Sequence, residues 1–127
     1  MKETDNSSIT SPAEIARLAA LYDIYGALIK ESQREIFEEY VLDNLSLAEI
    51  ANTRDITRQG VYDIIKRTQK KLKGYEDKLG LLKKSIETDE RLERLEAVID
   101  GIGSGTFLKS REYDSIKKLV NEIRSNL

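Results

Sequence analysis

Apolar residues recur every three or four positions along most of this 127-residue chain. This spacing places them on one face of an α-helix, whereas a half-buried strand alternates apolar and polar residues. No segment of the sequence shows that alternation. The sequence therefore predicts an all-α fold built from amphipathic helices.

Helix start signals divide the chain into three predicted parts. Residues 1–10 are polar, and we expect them to form a disordered leader. Residues 11–86 carry four helix patterns and are predicted to form the main domain. Residues 87–127 are predicted to form a C-terminal helical extension, in which glycines at 101–106 act as a hinge.

Two amphipathic helices are predicted before residue 45. Pro12 fits the first turn of a helix capped by Ser11, and Ser32 with Glu35 has the spacing of a capping box for the second helix. The tyrosines of both helices lie on the apolar faces, so we expect them to be core or interface residues. The two faces comprise Leu18, Leu21, Tyr22, Tyr25, Leu28 and Ile29, then Ile36, Phe37, Tyr40 and Val41.

Two closely spaced helices follow, separated by a break at residues 52–55. Ser46 and Glu49 form a second capping box, and Thr57 caps the next helix. A short helix, a tight bend and a second helix are the parts of a DNA-binding helix-turn-helix. Segment 46–72 is therefore predicted to be a helix-turn-helix, the centre of an all-α bundle that lacks a wing. Its small core is predicted to contain Ile50, Ile56, Val61, Ile64 and Ile65.

The apolar stripe of the fourth helix extends well beyond the helix-turn-helix. Because the rhythm continues past Gly74 and Gly80, one long helix is predicted; a break near either glycine is the alternative, since glycine costs about 1 kcal/mol relative to alanine. A helix around 88–100 follows, and Ser110 opens the last one. The stripe contains Val61, Ile64, Ile65, Thr68, Leu72, Tyr75, Leu79, Leu82 and Ile86, and the last helix has the face Ile116, Leu119, Val120, Ile123 and Leu127.

The positive charge is concentrated in one segment. The net charge is −2, and residues 1–50 carry four basic against ten acidic side chains. Residues 51–73, in contrast, carry seven basic side chains against two acidic ones. Such focusing suits contact with phosphates, while the acidic remainder limits indiscriminate binding.

The composition argues against an enzyme. With no cysteine and no histidine, the chain has no thiolate ligand, no thiol nucleophile and no imidazole base. The carboxylates of Glu35, Glu38, Glu39 and Asp43 are predicted to form a solvated helix face rather than a metal site. We therefore expect no cofactor, no metal and no small-molecule substrate. No apolar stretch is long enough to span a membrane, and no signal peptide is recognisable, so we expect a cytoplasmic protein.

The helix-turn-helix supplies the candidate nucleic-acid contacts. The hydroxyls of Ser46 and Thr57 lie at helix N-termini, where phosphates bind readily. Arginine and glutamine can make bidentate contacts to guanine and adenine edges. The outward face is predicted to consist of Arg58, Gln59, Tyr62, Asp63 and Lys66, and the phosphate-tracking set of Lys66, Arg67, Lys70, Lys71 and Lys73.

The helix-turn-helix resembles region four of bacterial sigma factors. The match runs without gaps through S-L-A-E-I-A, I-T-R-Q-G-V-Y-D-I-I-K-R and K-K-L. The wider stretch from about residue 17 to 83, which includes R-L-A-A-L-Y-D-I-Y-G-A-L-I and R-E-I-F-E-E-Y-V-L-D-N-L, more closely resembles the YlxM family. Those are small bacterial proteins to which DNA binding is ascribed, commonly encoded beside signal-recognition-particle genes. The resemblance implies a cytoplasmic regulatory role and a link to protein targeting.

Four positions depart from the usual pattern. Asp55 stands where helix-turn-helix proteins prefer glycine, although aspartate tolerates a left-handed turn better than most residues. Thr53 replaces a more usual apolar residue. Tyr62 and Asp63 occupy positions that often carry arginine and glutamine in sigma factors. Asp63 would repel phosphate, yet it can accept a hydrogen bond from a cytosine amine.

Two functions remain open from the sequence. The first is a DNA-binding regulator that acts as a homodimer, since the tyrosine-rich first helix and the long fourth helix offer more apolar surface than a small core can cover. The second is an adaptor that binds signal-recognition-particle RNA or protein without reading bases. A contact with RNA polymerase is a minor third alternative.

Overall fold

The computed structural model describes residues 11–103 and 110–127, which form six α-helices and one 3₁₀ turn. The predicted leader and the end of the predicted hinge lie outside the described residues. Within the described ranges there is no strand, so the all-α prediction is confirmed. The elements are α1 (Pro12–Tyr25), the 3₁₀ turn (Gly26–Leu28), α2 (Glu31–Val41), α3 (Leu47–Arg54), α4 (Arg58–Leu79), α5 (Leu81–Gly103) and α6 (Ser110–Ser125).

The described residues form two compact units that divide after Leu82. The first unit contains α1 to α4 and the start of α5. The second contains the rest of α5 together with α6. No helix in the described part of the chain is both long enough and apolar enough to cross a membrane.

Helix α4 is the centre of the first unit, because α1, α2 and α3 all pack against it. Val61, Ile65 and Leu72 on its inner face are completely buried. This confirms the predicted stripe for the first four turns of the helix. The partners in the core are Leu18, Leu21, Tyr25, Ile36, Phe37, Tyr40, Leu47 and Ile50.

Two predictions about the first two helices are wrong. Leu28 is 58% exposed, because α1 ends at Tyr25 and the chain continues as a 3₁₀ turn. The Ser32–Glu35 capping box does not form, since α2 already begins at Glu31 with Lys30 at its N-cap. The carbonyl of Lys30 accepts hydrogen bonds from the amides of Gln33 and Arg34, so Ser32 lies inside the helix. By contrast, Ser11 caps α1 as predicted, accepting from the Glu14 amide at 3.1 Å.

The tyrosines of α1 and α2 are core residues. Tyr22, Tyr25 and Tyr40 are at most 9% exposed, and the rings of Tyr22 and Phe37 lie 5.4 Å apart. Of the two roles that the sequence left open, the structure therefore supports packing within the chain. The first helix consequently offers no tyrosine surface to a partner.

The fourth helix ends at the second of its two glycines. It runs without interruption through Gly74, but Gly80 adopts the left-handed conformation with φ of 62°. Only glycine adopts that conformation without steric cost, so the prediction of a single long helix is wrong and the alternative break is confirmed. Leu79 and Ile86 consequently lie 55% and 49% exposed instead of extending the buried stripe.

A buried carboxylate joins the end of α4 to the start of α5. Glu76 Oε1 accepts hydrogen bonds from the hydroxyl of Tyr25 at 2.7 Å and from the amide of Leu82 at 3.0 Å. The Tyr25 hydroxyl in turn accepts from the amide of Leu81 at 3.2 Å. These bonds satisfy two of the four free N–H groups at the N-terminus of α5, which a helix otherwise leaves unpaired.

The second unit is an antiparallel hairpin of α5 and α6. Arg124 binds Asp89 at 2.8 Å and Glu96 at 2.6 Å, while Lys117 binds Glu96 at 2.9 Å and Asp100 at 3.4 Å. Later residues of α6 thus pair with earlier residues of α5. Its small core consists of Leu92, Ile99 and Val120.

The last helix was only partly predicted. It begins at Ser110 as expected, but Leu119, Ile123 and Leu127 of its predicted apolar face are 48–58% exposed. Two packed helices bury one row of side chains between them, and a wider apolar stripe needs a further neighbour. The helix predicted around 88–100 is confirmed, and it is longer in the structure.

The hydrogen bond from Tyr25 to Glu76 predicts a measurable loss of stability on its removal. Tyr25→Phe leaves a buried carboxylate without one of its donors, so we expect the free energy of unfolding to fall by about 1–3 kcal/mol. Tyr75→Phe is the control, because its ring lies 5.8 Å from that of Tyr25 in a less buried position, and a change within about 0.5 kcal/mol is expected. Equal urea midpoints for the two variants would contradict this role of Glu76.

Candidate nucleic-acid interface

Helix α3 begins with the predicted capping box. The Ser46 hydroxyl accepts from the Glu49 amide at 3.1 Å, and the Glu49 carboxylate accepts from the Ser46 amide at 2.9 Å. The second bond lowers the pKa of Glu49. The Ser46 hydroxyl acts as an acceptor in this cap, at the N-terminus of α3.

The bend between α3 and α4 is formed by Asp55, whose φ and ψ of 55° and 44° are left-handed. Its amide and that of Ile56 both donate to the carbonyl of Ala51, which closes the end of α3. Thr57 then caps α4, accepting from the Gly60 amide at 2.9 Å. The predicted helix-turn-helix is therefore confirmed in its backbone. Ile56, however, is 39% exposed in the bend and does not close the core as predicted.

Gly60 is a residue of this interface that the sequence analysis missed. A Cβ atom at this position would lie 3.0 Å from the Thr57 hydroxyl oxygen, closer than most real contacts. A larger residue at this position would require the Thr57 side chain to shift by a few tenths of an ångström.

The eleven predicted contact residues lie along α3 and α4, with unequal exposure. Six are exposed and five are half-buried, so the set forms one face only in part. The exposed residues are Thr57, Gln59, Asp63, Arg67, Lys70 and Lys71; the half-buried residues are Ser46, Arg58, Tyr62, Lys66 and Lys73.

Two of the residues predicted to reach base edges have other contacts. The Gln59 amide donates to the Asp63 carboxylate at 2.9 Å, one helical turn further along. Tyr62 is half-buried and packs against the hydrophobic core. Gln59 could thus read a base only if the hydrogen bond between its amide and the Asp63 carboxylate were broken.

Arg54 forms ion pairs with carboxylates of the same chain. Its guanidinium binds Glu39 at 2.6 Å and Glu35 at 3.3 Å, linking α3 to α2. Arg54 lowers the pKa of Glu39 by hydrogen bonding and by its charge, against the opposing effect of burial. The carboxylates of α2 are therefore not simply a solvated face, since the Tyr22 hydroxyl also donates to Glu38.

Lys73 and Lys71 have partners within the first unit as well. Lys73 binds Glu14 of α1 at 2.9 Å and lowers its pKa, and the buried Gln69 amide donates to the same carboxylate at 3.1 Å. Lys71 donates to Gln33 at 3.2 Å. Lys73 is thus engaged with an acidic residue of α1, which the sequence analysis did not anticipate.

A shallow groove follows the outer side of α4. Four of its seven lining residues are basic and one is acidic, and the groove opens to solvent, a form suited to a phosphate chain rather than to an enclosed small molecule. Among the described residues, no group of three or more carboxylates is arranged to hold a metal ion. The groove is lined by Lys66, Arg67, Gln69, Lys70, Lys73, Gly74 and Asp77.

Comparison with known proteins places these features in a family. Residues 13–101 match the family model described as "Putative helix-turn-helix protein, YlxM / p13 like". The chain is 43% identical over 107 residues to a UPF0122 protein of Thermoanaerobacter sp. (strain X514), covering 84% of this chain and 86% of the relative.

Two further relatives show the same pattern. A UPF0122 protein of Clostridium kluyveri is 42% identical over 116 residues, which is 90% of this chain and 98% of the relative. One from Caldanaerobacter subterraneus subsp. tengcongensis is 50% identical over 82 residues, covering 65% and 70% of the two chains. These relatives align over most of their own length.

The ion pair between Arg54 and Glu39 predicts a pH-dependent contribution to stability. The folded-state pKa of Glu39 is lowered, so the stabilisation is complete above its unfolded pKa of about 4.3 and is lost as the pH falls through the folded value. Glu39→Gln should therefore lower the free energy of unfolding at pH 7, and the difference from the unmodified protein should shrink toward pH 3.

Urea unfolding at a series of pH values measures this difference. Asp43→Asn, which alters an exposed carboxylate just after α2, serves as the control and should leave stability at pH 7 nearly unchanged. A Glu39→Gln difference that stays constant between pH 7 and pH 3 would contradict the proposed role of the ion pair.

Proposed function

This chain belongs to the UPF0122 family of YlxM/p13-like helix-turn-helix proteins, and we propose that it is a DNA-binding regulator of the cytoplasm rather than an enzyme. One observation carries the proposal. In the first turns of α4, which follow the bend at Asp55, Gln59 and Asp63 are exposed, while Val61 and Ile65 on the opposite side are completely buried. A recognition helix needs this combination, because an anchored inner face lets the outer face enter a major groove.

Base readout in this proposal depends on Arg58 and Gln59. Both lie in the first turn of α4, and the N-terminal part of a recognition helix is the part that reaches base edges. Arg58 would read guanine, and Gln59 adenine after exchange of its bond to Asp63. Asp63 would then be available to accept a hydrogen bond from a cytosine amine.

Phosphate contacts supply the affinity that does not depend on sequence. Ser46 and Thr57 lie at the N-termini of α3 and α4, where hydroxyl and amide donors are close together. The exposed Arg67 and Lys70 extend this contact along the groove of α4. Lys66 and Lys71 complete the set, with Lys71 exchanging Gln33 for a phosphate oxygen.

We also propose that the protein binds DNA as a homodimer. A single short recognition helix contacts few base pairs, and helix-turn-helix proteins commonly gain affinity by placing two such helices on half-sites about one helical turn apart. The buried tyrosines of α1 are not available for this purpose. Another surface must therefore hold the two copies together.

A second candidate is an adaptor that binds signal-recognition-particle RNA or protein without base readout. The observation that favours it is the engagement of two base-reading positions, Gln59 with Asp63 and Tyr62 with the core. Structured RNA is recognised largely by shape and by its phosphates and 2′-hydroxyls. The exposed basic side chains of α4 would suffice for such a contact.

Two variants distinguish base readout from phosphate contact. The DNA target is first selected from random duplexes, and the dissociation constant is then measured by fluorescence anisotropy across a salt series. Arg58→Ala with Gln59→Ala should weaken binding to the selected site by about 1–3 kcal/mol for each bidentate base pairing that the substitutions remove. Binding to unrelated duplexes should change much less.

Lys70→Ala should weaken binding to every duplex and reduce the salt slope by about one unit, as expected for one phosphate contact. Lys118→Ala, an exposed lysine of α6, is the matched control and should leave the slope unchanged. No binding to any duplex at low salt, together with tight binding to signal-recognition-particle RNA, would overturn the first function in favour of the second.

A further inference from the structure

The hairpin of α5 and α6 carries a set of exposed apolar side chains, which we call the hairpin face. Monomeric proteins seldom expose large contiguous apolar patches without a function. Each of the six members is 41–58% exposed. They are Leu95, Val98 and Ile102 from α5, and Leu119, Ile123 and Leu127 from α6 and its end.

These side chains lie on one side of the hairpin. Successive residues of an α-helix are separated by about 100°. Leu92 and Ile99 form the buried row of α5. Viewed along the helix axis, Leu95 and Ile102 therefore lie to one side of this row, whereas Glu96 and Asp100 lie to the other. In α6, Leu119 and Ile123 lie on one side of the buried Val120.

The ion pairs fix how the two helices are turned toward each other. Lys117 and Arg124 lie on the side of Val120 away from the apolar residues, and they bind Glu96. Because the helices are antiparallel and their charged sides meet, their apolar sides also fall on a common side. The hairpin thus has one charged edge that is paired within itself and one apolar face.

The size of the hairpin face matches that of a modest protein interface. Helix α6 has 16 residues, so it is about 24 Å long at 1.5 Å per residue, and two adjacent helices are about 20 Å wide. The face therefore covers about 500 Å². Two such faces in contact would bury about 1,000 Å², the area that a specific interface generally requires.

We propose that the hairpin face binds the hairpin face of a second copy of this chain, forming a four-helix bundle. Among the residues of the hairpin whose burial the structure describes, Leu92, Ile99 and Val120 are the buried apolar ones, and four helices would bury both apolar rows of each helix. The neighbouring charges of Lys117 and Arg124 are already matched within the hairpin. The exposed Arg91 of α5 and Glu112 of α6 lie on the same side, toward opposite ends of the hairpin face. The apolar centre between them fits an identical apolar centre, in which each copy offers the other the same surface.

This inference deepens the proposed function, since it names the surface that holds two helix-turn-helix domains together. It rests on that proposal only for its biological purpose. Self-association can be measured without DNA, and so its outcome is independent of nucleic-acid binding.

Sedimentation velocity of the full chain tests the inference. The unmodified protein should have twice the mass of one chain at micromolar concentration. Leu119→Glu with Ile123→Glu should raise the dissociation constant of the dimer at least about 100-fold, because burial of charge at an interface core is costly. The control is Asn121→Glu with Ser125→Glu, which adds the same charge at the same spacing on another exposed side of α6 and should remain dimeric.

A second measurement does not depend on how well the charged variant folds. The chain has no cysteine, so single cysteines can be introduced and oxidised. In a two-fold interface only a side chain near the axis meets its own copy, so a cysteine is placed in turn at each position of the hairpin face. At least one of these variants should give a disulfide-linked pair of chains on a non-reducing gel, and Asn121→Cys should not. No cross-linking at any position of the hairpin face, or equal cross-linking at Asn121, would overturn the proposed surface.

The two proposals fail in different ways. A single-chain mass for the unmodified protein at about 100 μM, with DNA binding retained, would overturn the hairpin dimer and leave the helix-turn-helix function standing. If the unmodified protein is a dimer that binds no DNA, and the variant with Leu119→Glu and Ile123→Glu is a monomer, the hairpin face is supported and the proposed function is overturned.

Discussion

The burial of one apolar row of α4 determines most of this structure. Val61, Ile65 and Leu72 are completely buried where α1, α2 and α3 meet the helix. Since side chains on one helix are fixed relative to one another, this burial also determines which residues point outward. The candidate recognition face is therefore a consequence of core packing, and the left-handed Asp55 allows the short α3 to pack beside it.

The basic side chains of α3 and α4 include some that are paired within the protein and some that are exposed. Arg54 and Lys73 are bound to carboxylates of α2 and α1, so part of the charge holds the helices of the first unit together. Arg67 and Lys70 are exposed on the outer side of α4. An acidic chain can thus present a local basic surface, because neighbouring helices neutralise only the cations that lie nearest to them.

Features that depend on nearby residues were predictable from the sequence. The caps at Ser46 and Thr57 join residues three positions apart, and the buried stripe of α4 follows helical geometry. The Ser32–Glu35 capping box, which does not form, shows the limit of prediction from nearby residues, since the preceding 3₁₀ turn decides where α2 begins. The pairing of Lys73 with Glu14 and of Tyr25 with Glu76 joins residues more than 50 positions apart, and depends on packing that no local pattern encodes.

The proposed contact between DNA and the outer side of the helix-turn-helix is tested most directly by amide chemical-shift mapping by NMR, with a duplex titrated into isotope-labelled protein at low salt. We predict the largest shifts at Ser46 and at residues 57–71, and small shifts along α6. Shifts confined to α6, or none at all, would contradict this contact.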